Sequence, residues 1–391
     1  MRYMTAGESH GPGLTTIVDG VPAGLKISEK HINVDLGRRQ LGYGRGGRMS
    51  IETDTARVTS GVRFGRTLGT PVSLFIENRD WRNWTDRMSV FDDAPMNLKR
   101  EVTPRPGHAD LVGSLKIDSN DCRDVLERAS ARETAARVAA ASIAREFLAD
   151  VGVEVYSYVT SIGGVGMTDP DRDPMGRAVG YSMLDIENSP VRCPDAQATK
   201  AMCDAIDRAK IEGESLGGTF RVVVTGLLPG LGGYAAADER ITSRVGAALF
   251  SIPAIKGVEF GLGFEAARRP GSQVHDPIVL AAGEFTRQTN NAGGLEGGMT
   301  TGMPLVVTCA MKPIPTLMKP LKTVNLDTLE EADASKERSD VCAVPAAGVV
   351  AEAEVAMVLA NAYLEKFGHD NMTDIHAAIR AYEQRLRTMA R

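Results

Sequence analysis

The chain has 391 residues, 43% hydrophobic and 24% charged, with apolar residues recurring throughout, which excludes a disordered chain and leaves ample material for a core. With 45 Lys and Arg against 50 Asp and Glu the net charge is −5, so nucleic acid is not an expected partner and any local Arg cluster points to a small anion. Five cysteines without a CxxC pair suggest reduced thiols in the cytoplasm, with neither a disulfide framework nor a zinc knuckle.

The first residues, MRYMTAGESHG, lack the apolar core of a signal peptide. Strand-like runs follow at 14–19 and 72–76, then a polar, Pro/Gly-punctuated stretch at 78–101 that reads as a long loop. A helix is expected over 121–150, a strand over 153–161, and a second long loop over 165–196. Helix 195–210, strand 220–225, helix 236–250, strands 257–261 and 304–310, and helices 346–367 and 374–388 complete the chain. Helices and strands do not alternate strictly, so α+β is the natural class. The most apolar stretch, 346–364, carries Glu352 and Glu354, and so reads as a buried helix with no membrane partner. No linker divides the chain, which reads as one domain over 1–391.

Residues 7–22 (GESHGPGLTTIVDGVP) and 213–228 (GESLGGTFRVVVTGLL) share Gly, Glu, Ser, Gly, Val and Gly at an offset of 206. Two related halves are expected, starting near 7 and 213, each with a glycine turn leading into a strand. GESHG also fits the nucleophile-elbow pattern, which would make Ser9 a hydrolase nucleophile, but a strand rather than a helix is expected after it. Against the second copy, His10 stands opposite Leu216, so the histidine is the addition to a shared turn.

Arg38, Arg39, Arg45 and Arg48 crowd a glycine loop containing no acid, a pattern suited to phosphate or carboxylate through forked hydrogen bonds. In PRPGHAD, Pro104 and Pro106 stiffen a turn that presents Arg105, His108 and Asp110. Arg128 and Arg132 are expected on one face of the 121–150 helix, beside an alanine run that leaves room for a ligand. KPIPT (312–316) is a second proline-locked cationic turn, and Arg338 and Asp340 precede a helix opened by Pro345. An acid among so many cations suits proton acceptance. No metal-ligand spacing or P-loop is present. The residues thus point to general acid/base chemistry on a small, multiply anionic substrate, or to a non-catalytic anion-binding protein, and do not name the reaction.

GESHG, RRQxGYGRGGRM, RPGHAD, SARETAARVA, GGxxGGM, KPIPT and RSDxCAVPAAG, in this order, closely resemble the chorismate synthase family. That resemblance implies a lyase converting 5-enolpyruvylshikimate 3-phosphate to chorismate and phosphate with reduced FMN and no net redox change. By motif, it implies that His10 protonates the departing phosphate, His108 keeps the reduced flavin correctly protonated, and Asp340 works with the flavin in removing the C6 hydrogen. It assigns Ser9, Arg39, Arg45, Arg48, Arg105 and Arg132 to substrate contacts, Arg39 and Arg45 also to NADPH. Arg128, Ala129, Ser130, Pro253, Ala254, Gly297, Lys312, Pro313, Ile314, Pro315, Thr316 and Arg338 match flavin-binding positions. Leu41, Ala129 and Pro253 depart from the family's common Gly, Ser and Asn or Gln. The implied fold is a β-α-β sandwich with helices between two antiparallel sheets, in a cytoplasmic homotetramer.

Overall fold

The computed structural model describes residues 1–46, 53–168, 181–337 and 339–389. One antiparallel sheet holds β1 (Arg2–Ala6), β2 (Gly13–Asp19), β3 (Ala56–Ser60) and β4 (Val72–Glu77) in the order β1-β2-β4-β3. A second holds β5 (Glu154–Ile162), β6 (Gly218–Thr225), β7 (Ile255–Phe260) and β8 (Leu305–Met311) in the order β5-β6-β8-β7, with the short strand Val165–Gly166 outside β5. The two four-strand orders coincide. So do the glycine exits from the repeated strands, since Gly20 after β2 and Gly226 after β6 have φ of 76° and 79°, a region open to glycine at little cost.

β2 alternates, burying Leu14, Thr16 and Val18 while Ile17 faces out, so only one of its faces meets the core. β6 buries five consecutive residues, Phe220 to Val224, because both of its faces are covered. Helices supply the cover. α1 (Glu29–Gln40), α2 (Asp110–Ile117), α3 (Arg123–Ala129) and α4 (Thr134–Asp150) belong to the first half of the chain. α5 (Met183–Asn188), α6 (Ala196–Glu212), α7 (Ile241–Phe250), α8 (Val344–Phe367) and α9 (Met372–Met389) follow.

α4 lies against β1, β2 and β4, α8 against β5 and β6, and the two helices pack on each other. Small side chains make this close approach possible, with Ala135, Ala139, Ala140 and Ala144 of α4 and Ala351, Ala356 and Ala360 of α8 fully buried. α8 is long and apolar enough to cross a membrane by length and composition, yet 89% of its apolar window is buried inside the protein. Pro345 sits in its first turn, where a missing N–H costs nothing.

The expected helix over 121–150 is two helices. Ser130 is extended (φ −63°, ψ 143°), and its hydroxyl accepts the Arg132 N–H at 3.3 Å, ending α3 and starting a short 3-10 turn before α4. Arg128 and Arg132 therefore do not share a face. β1, β3 and α2 were not expected from the sequence, and the loop expected over 165–196 contains α5.

Candidate active site

The β1–β2 turn carries Ser9 and His10 against the last turn of α3. The Ser9 N–H donates to the Glu127 carbonyl at 3.0 Å, and the His10 N–H donates to Glu127 Oε2 at 2.7 Å. His10 Nδ1 is 2.9 Å from Glu127 Oε1, and its ring stacks on Trp84 with centroids 3.9 Å apart. Burial alone would raise the Glu127 carboxyl; the hydrogen bonds and charge of His10, joined by Arg123, hold it below the usual carboxylate range.

From this turn a polar chain runs across the molecule. Asn78 Nδ2 donates to the carbonyls of Glu8 (3.0 Å) and Gly11 (2.8 Å), while its Oδ1 accepts from Arg132 Nε at 2.9 Å. Arg132 pairs with Asp54, and Asp54 also meets Arg39 at 3.3 Å. Arg39 donates to Thr134 Oγ1 and the Ala131 carbonyl, both at 2.9 Å, and burial pulls its guanidinium down to about 10, still charged at neutral pH. Arg45 donates to the Arg39 carbonyl (3.3 Å) and lies 3.1 Å from Asp340, which accepts the Gly46 N–H at 2.6 Å. His10 and Asp340 are thus the two ends of one arginine-rich network. Arg132 Nη2 is buried and has no hydrogen-bond partner among the described residues, a donor left over for an anion.

The two proline-locked turns meet. Arg105 pairs with Asp110 at 2.8 Å and donates to Thr316 Oγ1 at 3.0 Å, while Lys312 Nζ donates to the Gly107 carbonyl at 3.1 Å. His108 Nδ1 contacts Asp110. Burial opposes ionisation of Asp110, but hydrogen bonds from His108 and Arg105 overcome it and hold the carboxyl far below its ordinary value. An ionised Asp110 requires the proton on His108 Nδ1. Burial, and then Lys256, lower the Lys312 ammonium.

A cleft of about 580 Å³ lies beside α3, lined by Tyr3, Thr5, Arg128, Ala129, Pro253 and Ser251 with the Glu133–Arg137 pair. Arg128 donates to the carbonyls of Gly7 (3.1 Å) and Thr5 (2.8 Å). Next to Pro253, the Ala254 carbonyl accepts the Lys312 N–H at 2.9 Å, so positions 128–130, 253–254 and 312–316 adjoin. The cleft presents the Arg128 guanidinium, a partner suited to the phosphate of a cofactor.

The chorismate synthase family profile matches residues 1–364. The chain belongs to the chorismate synthase family. It is 54% identical over 382 residues to the chorismate synthase of Syntrophotalea carbinolica, covering 98% of this chain and 97% of that one. It is 52% identical over 385 residues to the Bacillus subtilis enzyme, covering 96% of each. A solved structure titled as a crystal structure of chorismate synthase superposes with a TM-score of 0.79 at 42% identity, over 99% of this chain and 98% of that one. The chain is accordingly a lyase of aromatic biosynthesis.

Within the chorismate synthase frame several expectations change. Arg38 is not in the anion site. It pairs with Glu352 at 2.7 Å and with Glu187 at 2.9 Å, in a buried network that Arg145 and Arg192 complete. A strand does precede Ser9, but β2 and not a helix follows it, and Ser9 is only 3% exposed. Gly297 sits on a hairpin against the start of α7, where Gly298 accepts the Ile241 N–H at 2.8 Å; among the described residues no hydrogen bond ties it to the other flavin positions. Arg48 and Arg338 lie outside the described residues. The sequence reading missed Glu127, Asp54, Asn78 and Trp84. Only Glu127 left a signal, standing four residues after Arg123 on a helix, the spacing of an ion pair that the structure has at 3.0 Å.

Proposed function

We infer that the chain converts 5-enolpyruvylshikimate 3-phosphate to chorismate and phosphate by 1,4-anti elimination, the last common step of aromatic biosynthesis. The observation that carries this reading is the single network joining His10 to Asp340 through Arg132, Arg39 and Arg45. An elimination of this kind needs an acid where the C3–O bond breaks and a base where the C6 hydrogen leaves, with cations between them for a phosphate and two carboxylates.

His10 gives a proton to the departing phosphate. Asp340 works on the C6 hydrogen, held by Gly46 and Arg45 on one side of the site. Arg132, with its spare Nη2 donor, and Arg45, Arg48 and Arg105 hold the substrate's anionic groups, while Ser9 completes the turn. Arg39, fully engaged with Asp54, Thr134 and Ala131, acts by holding Asp54 under Arg132.

The flavin positions are Arg128 to Ser130, Pro253, Ala254, Gly297, Lys312 to Thr316 and Arg338, supported by the cleft that Arg128, Ala129 and Pro253 line. Reduced FMN, when bound, supplies transient electron density that eases loss of the phosphate without net oxidation. His108, its Nδ1 proton fixed by Asp110, leaves Nε2 to meet the flavin. NADPH or an outside reductase supplies the electrons.

The coincident strand orders support two related halves in one domain, and the α4–α8 layer supports a β-α-β sandwich. A cytoplasmic homotetramer completes the proposal. Anaerobic incubation with substrate and chemically reduced FMN tests the reaction: chorismate and phosphate should appear in equal amounts, and neither without reduced flavin. Fluorophosphonate labelling of Ser9 would favour a hydrolase instead.

A further inference from the structure

We propose that Glu127 is the positioning residue for His10, fixing the imidazole's orientation and its Nδ1 proton so that Nε2 is the nitrogen that delivers a proton to the departing phosphate. The inference rests on the role given to His10 above. Both carboxylate oxygens are used, Oε2 on the His10 N–H at 2.7 Å and Oε1 on Nδ1 at 2.9 Å, so backbone and ring are gripped by one side chain. Glu127 is 2% exposed, and its carboxyl is held in the ionised form. A carboxylate has no proton to give, so the ring nitrogen facing it must carry one. That fixes the tautomer and assigns the exchangeable proton to Nε2, as a buried acid does for a catalytic histidine elsewhere.

Trp84 fixes the remaining freedom, its ring 27° from the imidazole plane and anchored by Nε1–H donation to Asp80 at 3.3 Å. Other charges face the histidine less directly. Arg123 shares Glu127 Oε1 at 3.0 Å, is held by Glu337 at 2.8 Å, and lies over Trp84, as does Arg87. Glu8 belongs to the same turn as His10. Among the described residues Glu127 is the acid in direct contact with the ring.

The test uses the flavin-loaded enzyme and the variants Glu127→Gln, His10→Ala and their combination. Glu127→Gln should lower kcat about tenfold or more with KM little changed. Its kcat–pH profile should differ from that of the wild type, because the charge beside the imidazole is gone. In the His10→Ala background Glu127→Gln should cost nothing further, and Glu127→Asp should restore part of the wild-type pH profile. Wild-type kcat and pH profile for Glu127→Gln, or an equal loss on top of His10→Ala, would overturn the proposal. Wild-type turnover by His10→Ala would remove the role of His10 itself. Should Glu127→Gln not fold, nitrogen-15 NMR of the wild-type His10 ring decides: a proton on Nδ1, in the imidazolium or in the Nδ1–H tautomer, supports the assignment, and an Nε2–H tautomer with bare Nδ1 refutes it.

Discussion

The Gly46 N–H donates to Asp340 Oδ1 at 2.6 Å, and the Ser339 carbonyl oxygen lies 2.7 Å from where a Cβ on residue 46 would stand. The arginine loop and the segment before α8 thus touch backbone to backbone, and only glycine allows it. Gly46→Ala should push the two apart, displacing Asp340 from Arg45. The strain should cost about 1–3 kcal/mol. Chorismate formation should fall strongly with only a modest drop in Tm, and unchanged turnover would show that this contact does not place Asp340.

Glu352 predicts how stability depends on pH. It is fully buried in α8 and bonded to Arg38, Arg145, Arg192 and Ser157. Burial alone would raise its carboxyl, but the three guanidiniums prevail and hold it at about 2. The folded value lies below the unfolded one, about 4.3. The stabilisation is therefore complete above that pH and is lost as pH falls from there toward 2. Glu352→Gln should cost about 3–5 kcal/mol at neutral pH, because three buried cations lose their charge partner. Urea midpoints at pH 6 and pH 3 should differ less in the variant than in the wild type, and an equal difference would contradict the assignment.

Pro253 lines the cleft with Arg128 and Ala129 and has neither an N–H nor a side-chain donor. Pro253→Asn supplies a donor at this edge. FMN should bind about fivefold more tightly, the worth of one added hydrogen bond of about 1 kcal/mol. Quenching of flavin fluorescence on titration measures this, and an unchanged Kd would place the flavin elsewhere.

The sequence made the apolar strands legible and hid the polar contacts. β2, β4, β5, β6 and β8 announce themselves by buried β-branched runs, whereas β1 (RYMTA) and β3 (ARVTS) are half-exposed and carry no such pattern. The break at Ser130 was illegible because the residues on both sides are good helix formers and only a side-chain cap ends α3. His10, Arg105 and Asp340 could be singled out from glycine and proline turns. Their partners could not, since Glu127 is 117 residues from His10, Asp54 is 78 from Arg132, and Thr316 is 211 from Arg105. Arg38 misled in part for the same reason: Asp35 stands three residues before it, but its other acids, Glu187 and Glu352, come from distant segments.

Asp340, at the far end of the network from His10, is the residue proposed to take part in removing the substrate's hydrogen. Asp340→Asn tests this role most directly, because an Asn oxygen can still accept the Gly46 N–H while the basic charge is gone. The measurement is kcat for chorismate formation under anaerobic conditions with reduced FMN. It should fall about a hundredfold or more, with KM near that of the wild type. Turnover at the wild-type rate would contradict the role of Asp340.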